Sequence, residues 1–310
     1  GIGLVWLGRE AALPLVVLGT PLAQLAAASW FARRLGLPGE RPDPERVRKA
    51  RGELLRFGLP FTGSQLVGSV VQLGMPFLVL YQLGQENVGY YRAAVLFSTA
   101  YIGFLLNALG QDFYPRLSAL QDRPVAFQEA IHAQQRLVLL LGSPLVAGSL
   151  ALAPMIVTLL FSPQFRPVVS ILQWQLLGDL LRFVSWTLGY AVLARLSSRF
   201  YLLTETLGGG LLLGFSLWGM RQFGLQGLGM GWLATYAGYL LVVAWILTSK
   251  RIWAPTLSNM GLLLSGLGVA VAVRLAPEPW ALAVAVSWGF VCALWLSRQV
   301  GRARAREVER

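Results

Sequence analysis

Residues 168–194 read VVSILQWQLLGDLLRFVSWTLGYAVLA. The stretch exceeds the roughly 20 residues that a helix needs to cross a bilayer core. Yet it carries Asp179 and Arg182 near its middle. A charge at that depth costs about 2.5–3.5 kcal/mol, so two facing lipid would cost roughly 5–7 kcal/mol. The two residues must therefore face a partner or water. Gln175, Asp179, Arg182, Trp186 and Tyr190 recur at spacings of 4, 3, 4 and 4, which puts them on one helical face. Two readings follow. Asp179 and Arg182 form a mutual structural pair at i, i+3. Alternatively, Arg182 offers positive charge to an anionic substrate while Asp179 holds its orientation.

Working outward, the same apolar character recurs along the chain. Apolar runs at 11–32, 58–83, 89–109, 136–161, 168–194, 200–220, 225–248, 257–275 and 279–297 predict an all-α, polytopic membrane helical bundle of about nine transmembrane helices. Hydrophobic residues make up 55% of the 310 residues and charged residues 13%. A soluble surface needs roughly 25% charged residues, so most of this surface faces lipid.

The connections between runs set the orientation. Residues 33–57 hold Arg33, Arg34, Arg41, Arg46, Arg48, Lys49, Arg51 and Arg56. Short basic loops stay in the cytoplasm. Alternating from there, 84–88 has no Lys or Arg, and 161–167, 221–224 and 274–279 have one Arg each. The intervening connections are richer, with Arg116, Arg123 and Arg136, then Arg195 and Arg199, then Lys250 and Arg251, then the arginines from Arg298 onward. The pattern predicts a cytoplasmic C-terminus. Residues 33–57, with Pro38, Pro42 and Pro44, read as a linker followed by a helix on the cytoplasmic membrane surface. Residues 110–135 read as a second amphipathic cytoplasmic segment. Both also fit passive tethers.

The net charge of +12 is distributed between apolar runs and at the C-terminus, which argues against nucleic acid. One cysteine, Cys292, and one histidine, His132, leave no basis for a disulfide framework or a His-based metal site. No Walker A sequence is present. The run Gly227-Leu228-Gly229-Met230-Gly231 lies inside an apolar stretch, where glycines serve close helix packing. There is no nucleophile–base pair and no acidic metal motif, so no catalytic residue, metal or cofactor is expected. The chain begins without Met and without a signal sequence, and reads as a fragment starting between two spans.

Polar residues inside other spans add to the 168–194 face. In 58–83, Thr62, Gln65, Ser69 and Gln72 fall at spacings of 3, 4 and 3, with Pro76 continuing the series and Leu66, Val67, Val70, Val71 and Leu73 opposite. Such a stripe fits hydrogen-bonded helix packing or the wall of a hydrated cavity. Arg92, close to the outer interface, either snorkels to water or lines an outer mouth. Glu205, near the cytoplasmic side of 200–220, either meets Arg195 or Arg199 or serves as a protonatable coupling group.

Three further stretches carry a family likeness. Gly89-Tyr90-Tyr91-Arg92-Ala93-Ala94 followed by Asp112-Phe113-Tyr114-Pro115-Arg116-Leu117-Ser118-Ala119-Leu120 resembles the Wzx-type oligosaccharide flippases. These belong to the MOP superfamily with the MATE exporters and lipid II flippases. Glu53 to Pro60 resembles the start of that family's second half, and Trp174 to Trp186 resembles a later part of it. The likeness covers about residues 45–250, and the last two spans in pattern only.

The resemblance implies a MATE/MOP-like fold of two six-helix bundles facing across a central cavity, plus two extra helices. This chain would hold the last helix of a missing N-terminal bundle (1–32), the basic inter-lobe connection (33–57), the C-terminal bundle (58–248), two extra transmembrane helices (249–297) and a basic cytoplasmic tail (298–310). The implied activity is transport of an undecaprenyl-diphosphate-linked oligosaccharide from the cytoplasmic to the outer leaflet by alternating access, for polysaccharide or O-antigen biosynthesis. The implied place is the bacterial inner membrane, with glycan polymerase and assembly proteins as partners. Substrate-binding candidates are Arg182, Asp179, Arg92, Gln65, Gln72 and Gln175, with Trp186 and Tyr190 as sugar-stacking surfaces. Asp179 and Glu205 are candidates for coupling to H+ or Na+. The alternatives are a MATE-like drug or cation exporter, which would favour an acidic cavity, and a polytopic glycosyltransferase, which would favour acidic outer loops.

Overall fold

The structure is a computed structural model that describes residues 12–34 and 43–308. The described residues are almost entirely helical and contain no strand. In chain order the helices are α1 (Ala12–Arg34), α2 (Pro44–Leu83), α3 (Gln85–Phe97), α4 (Phe104–Ala119), α5 (Pro124–Ala151), α6 (Ala153–Leu160), α7 (Val168–Arg195), α8 (Ser198–Phe223), α9 (Gln226–Ser249), α10 (Leu257–Leu275) and α11 (Glu278–Val308). A π-helical turn, Ser98–Gly103, joins α3 to α4. Among the described residues seven helices are long and apolar enough to cross a membrane, or eight if the bent pair α5–α6 is one span. These eight fall on the last eight of the expected runs, and α1 is helical over the first. The chain is a multi-pass helical membrane protein.

The chain divides into two compact units, residues 1–54 and 55–310. The first holds α1, where the Arg34 guanidinium lies 4.0 Å from the Trp30 ring centroid. The site described below lies in the second.

Three boundaries differ from expectation. The basic stretch before residue 58 is not a linker with a separate surface helix from Glu45 to Arg56. From Pro44 it is part of one 40-residue helix, α2, while residues 35–42 lie outside the described ones. Residues 110–135 are not a segment of their own. The span begun at Gln85 continues through the π turn to Ala119, and the next helix starts at Pro124, where proline's fixed φ suits a first turn. The expected span 136–161 is broken at Leu152 by a bend of 76°. Pro154 has no N–H to extend the α5 ladder, so it opens a new helix instead. The basic tail continues α11 to Val308.

Helix α7 is central. Its buried residues run from Val168 to Leu193, and α5, α9, α10, α4 and α3 pack around it. The apolar side chains that other helices turn outward include Leu66, Leu73, Phe77, Leu241 and Trp245, each 64–71% exposed. In water they would form an unfavourable surface; against acyl chains they meet their own kind.

Without a hydrophobic force between helices in lipid, close backbone approach must supply the packing energy. The 227–231 glycine run does this. Gly227 faces the carbonyl of Gly219, Gly229 that of Ile171, and Gly231 the backbone of Ser216, so a β-carbon at any of them would collide with a neighbouring helix. This binds α9 to α8 on one side and to α7 on the other.

Candidate functional site

The polar face of α7 organises the site. Asp179 is fully buried, and its Oδ1 lies 3.5 Å from Nη1 of Arg182, one turn along the same helix. The carboxylate is saturated by three elements. Trp232 on α9 donates its indole N–H to Oδ1 at 3.1 Å, and Ser98 in the π turn donates its hydroxyl to Oδ2 at 2.9 Å. Ser98 Oγ also accepts from Arg182 Nη1 at 3.4 Å. Two aromatic faces flank the guanidinium, with Trp232 and Tyr236 centroids 5.6 and 5.7 Å from its carbon. Arg182 is thus held on three sides, while its side chain remains 24% exposed.

That exposed part opens on a cavity of about 740 Å³. Its wall comes from α2, α3, α4, α7, α8 and α9, with Thr99 from the π turn. Arg182 and Glu205 are the charged side chains among the lining residues. Nine of the remaining lining residues are aromatic. Trp186 and Tyr190 meet edge to face at 4.9 Å, and buried Phe113 stacks behind Trp186 at 6.1 Å. Tyr201 lies parallel to Phe61 at 6.1 Å. On α9, Trp232, Thr235, Tyr236 and Tyr239 present one continuous face, at spacings of 3, 1 and 3.

The close fit of α9 on α7 depends on Gly178. A β-carbon there would stand 2.8 Å from Trp232 Cδ1 and 2.9 Å from Leu233 Cα. The glycine next to Asp179 is therefore what lets the Trp232 indole reach the carboxylate.

The helical membrane bundle has counterparts. A family model of polysaccharide biosynthesis proteins matches residues 27–170. The lipid III flippases of Escherichia coli (strain K12) and Shigella flexneri are 27% identical over 236 residues, covering 75% of this chain and 56% of theirs. The chain thus spans about half the length of the curated relatives it matches. Among solved structures, the lipid II flippase MurJ in an inward closed conformation superposes with a TM-score of 0.58 at 13% identity, over 81% of this chain and 56% of that one. An outward-facing multidrug resistance MATE transporter of the MOP superfamily superposes with a TM-score of 0.56 at 17% identity, over 72% of this chain and 52% of that one. The two solved structures share its fold, a helical membrane bundle of the MATE and MurJ type.

The residues singled out from the sequence divide into two groups. Arg182, Gln65, Gln72, Trp186, Tyr190 and Glu205 all line one cavity. Asp179, Gln175 and Arg92 do not. Asp179 stands behind Arg182, closed off from the cavity. Gln175 is buried and donates Nε2 to the Ala94 carbonyl at 3.3 Å, tying α7 to α3. Arg92 is exposed, and its neighbour Tyr91 takes the place on the wall. One residue is about 100° of helical turn, enough to swap the cavity side for another.

The stripe on α2 shifts in the same way. Phe61, Gln65, Gly68, Gln72 and Met75 line the cavity, at spacings of 4, 3, 4 and 3, while Thr62 and Ser69 are exposed off that face. Val71, expected opposite, also lines the cavity. Glu205 does not meet Arg195 or Arg199. The ion pairs among the described residues are Asp179–Arg182 and an exposed Asp112–Arg116 pair at 3.8 Å. Glu205 instead accepts the Tyr239 hydroxyl on Oε1 at 3.0 Å.

The sequence reading missed Ser98, Trp232, Tyr236 and Tyr239. The last three were accessible as a helical aromatic stripe in 225–248. Ser98 carried no signal of its own, because its role depends on a π turn in α3–α4. Such turns widen one loop of a helix and cluster at functional sites.

Proposed function

We propose that this chain forms the C-terminal part of a flippase that moves a lipid-linked oligosaccharide, an undecaprenyl-diphosphate-linked glycan, from the cytoplasmic to the outer leaflet by alternating access. The proposal places it in the bacterial inner membrane with a cytoplasmic C-terminus, in polysaccharide or O-antigen biosynthesis beside glycan polymerase and assembly proteins. The observation that carries it is the fixed guanidinium of Arg182 on the wall of an aromatic cavity at bilayer depth. A lipid-linked glycan has an anionic diphosphate and many hydroxyls, and crossing bare hydrocarbon would leave both without partners. Arg182 supplies charge, Gln65 and Gln72 supply amide donors and acceptors, and Trp186 and Tyr190 supply flat faces for sugar rings. Relatives named for lipid III and lipid II support the same cargo class. The two bundles of such a transporter would rock about the cavity, which opens to one leaflet at a time.

Arg182→Ala in the full-length protein tests this. In cells whose own flippase gene is deleted, surface polysaccharide made through the variant should fall at least about tenfold, with the protein's membrane level unchanged. Normal polysaccharide would remove Arg182 from the transport path. An exporter of organic cations on the same fold is favoured by a single feature, the acid Glu205 on the cavity wall. Drug efflux by the full-length protein that ignores the glycan would decide for it.

A further inference from the structure

The two charged groups on the cavity wall are not equivalent. Arg182 has a counter-ion, Asp179, behind it. Glu205 has no cationic partner among the described residues, and only its Oε1 is engaged, by Tyr239. An ionised carboxylate accepts through about four lone-pair sites, so Glu205 keeps accepting capacity beyond Tyr239 on the cavity wall. A lone, half-buried carboxylate at bilayer depth is expensive unless something that enters the cavity donates to it.

The α9 stripe gives these groups an order. Arg182 stands against Trp232 and Tyr236, and Glu205 is held at Tyr239, seven and three residues further on respectively. At 1.5 Å per residue the carboxylate lies about 5–10 Å further along α9 than the guanidinium. The cavity therefore has a cationic end and an acidic end, with aromatic rings between. A lipid-linked glycan has the same order, with the diphosphate first and the donor-rich sugars after it.

Resting on the flippase reading, we propose that Glu205, positioned by Tyr239, is a specificity-determining residue for the glycan. It accepts hydroxyl or amide N–H donors from a neutral sugar whose diphosphate lies toward Arg182, and it turns away a sugar that bears a carboxylate at the same position. Two carboxylates brought together in a site of low dielectric repel strongly, and like charges across an interface discriminate more sharply than a lost hydrogen bond does.

The test uses purified full-length protein in detergent and two synthetic short-chain prenyl-diphosphate disaccharides. They are identical except that one outer sugar carries a hydroxymethyl at C6 and the other a carboxylate. Calorimetric titration should show the wild type binding the neutral ligand at least about tenfold more tightly. Glu205→Gln should bring that ratio below about threefold, chiefly by improving the acidic ligand. Glu205→Ala, which puts no amide at that position, should do the same if the Gln variant does not fold. Tyr239→Phe keeps the charge and should keep the preference. Arg182→Ala should weaken both ligands and leave the ratio in place. A ratio that survives loss of Glu205, or a wild type that treats the two ligands alike, overturns the assignment. A wild type that shows the preference but does not translocate the neutral ligand in proteoliposomes overturns the flippase reading and leaves Glu205 as the selective group.

Discussion

Asp179 and Arg182 sit one turn apart on α7 with opposite exposures, the acid fully buried and the base opening on the cavity. The asymmetry assigns them different work. Asp179 accepts from Ser98, Trp232 and Arg182. Arg182 keeps donors to spare for what enters the cavity. The pair expected at i, i+3 is present, and Asp179 holds the guanidinium where it opens on the cavity; in the proposed transport that contact makes Asp179 a positioning residue.

Asp179→Asn should lower stability and transport together, because it leaves Arg182 without its counter-charge in a low-dielectric wall. Removing one member of a dry buried pair costs about 3–5 kcal/mol; the cavity shares the load here, so about 1–3 kcal/mol is expected. Thermal unfolding in detergent measures it. The double variant Asp179→Asn with Arg182→Gln should regain much of the stability and none of the transport. Recovery of transport in the double variant would show that Arg182 is not a substrate-facing charge.

Gly178→Ala should loosen the α7–α9 contact. The added methyl would stand 2.8 Å from Trp232 and 2.9 Å from the Leu233 backbone, and backbone cannot rotate away. Overpacking of this kind costs about 1–3 kcal/mol. The variant should melt at a lower temperature and lose glycan transport through displacement of Trp232 from Asp179. A melting temperature equal to the wild type would mean that the helices are not in such close contact.

Cysteine accessibility separates the cavity face of α2 from its outer face. In a full-length, otherwise cysteine-free background, Gln72→Cys should react rapidly with a water-soluble thiol reagent and Leu73→Cys slowly. Gln72 lines the cavity, whereas Leu73 is 69% exposed on the apolar outside. Similar rates at the two neighbours would remove the hydrated cavity.

Much of this was written in the order of the amino acids. Apolar length fixed where helices would run, because a bilayer accepts only segments whose backbone bonds are internal. The 4, 3, 4, 4 spacing from Gln175 to Tyr190 put a polar face on α7, and the cost of charge in lipid required that face to be enclosed. Periodicity has limited resolution, however. A stripe read from helical spacing is uncertain by about one residue, and one residue rotates a side chain by about 100°. Arg92 and Tyr91 on α3, and Thr62 and Phe61 on α2, exchanged roles for that reason.

What only tertiary structure decided is which polar groups meet. Asp179 finds Ser98 across 81 residues and Trp232 across 53, contacts made by helix packing and not by spacing along one helix. The packing in turn rests on small groups that leave no mark in a hydropathy profile: Gly178 beneath Trp232, and the glycines of 227–231 against α7 and α8. The π turn at Ser98 likewise arises from backbone geometry. The sequence alone could say that charge must be enclosed, because burial cost depends on residue type and depth. Which partner encloses it depends on where neighbouring backbones can approach, and that is a property of the assembled bundle.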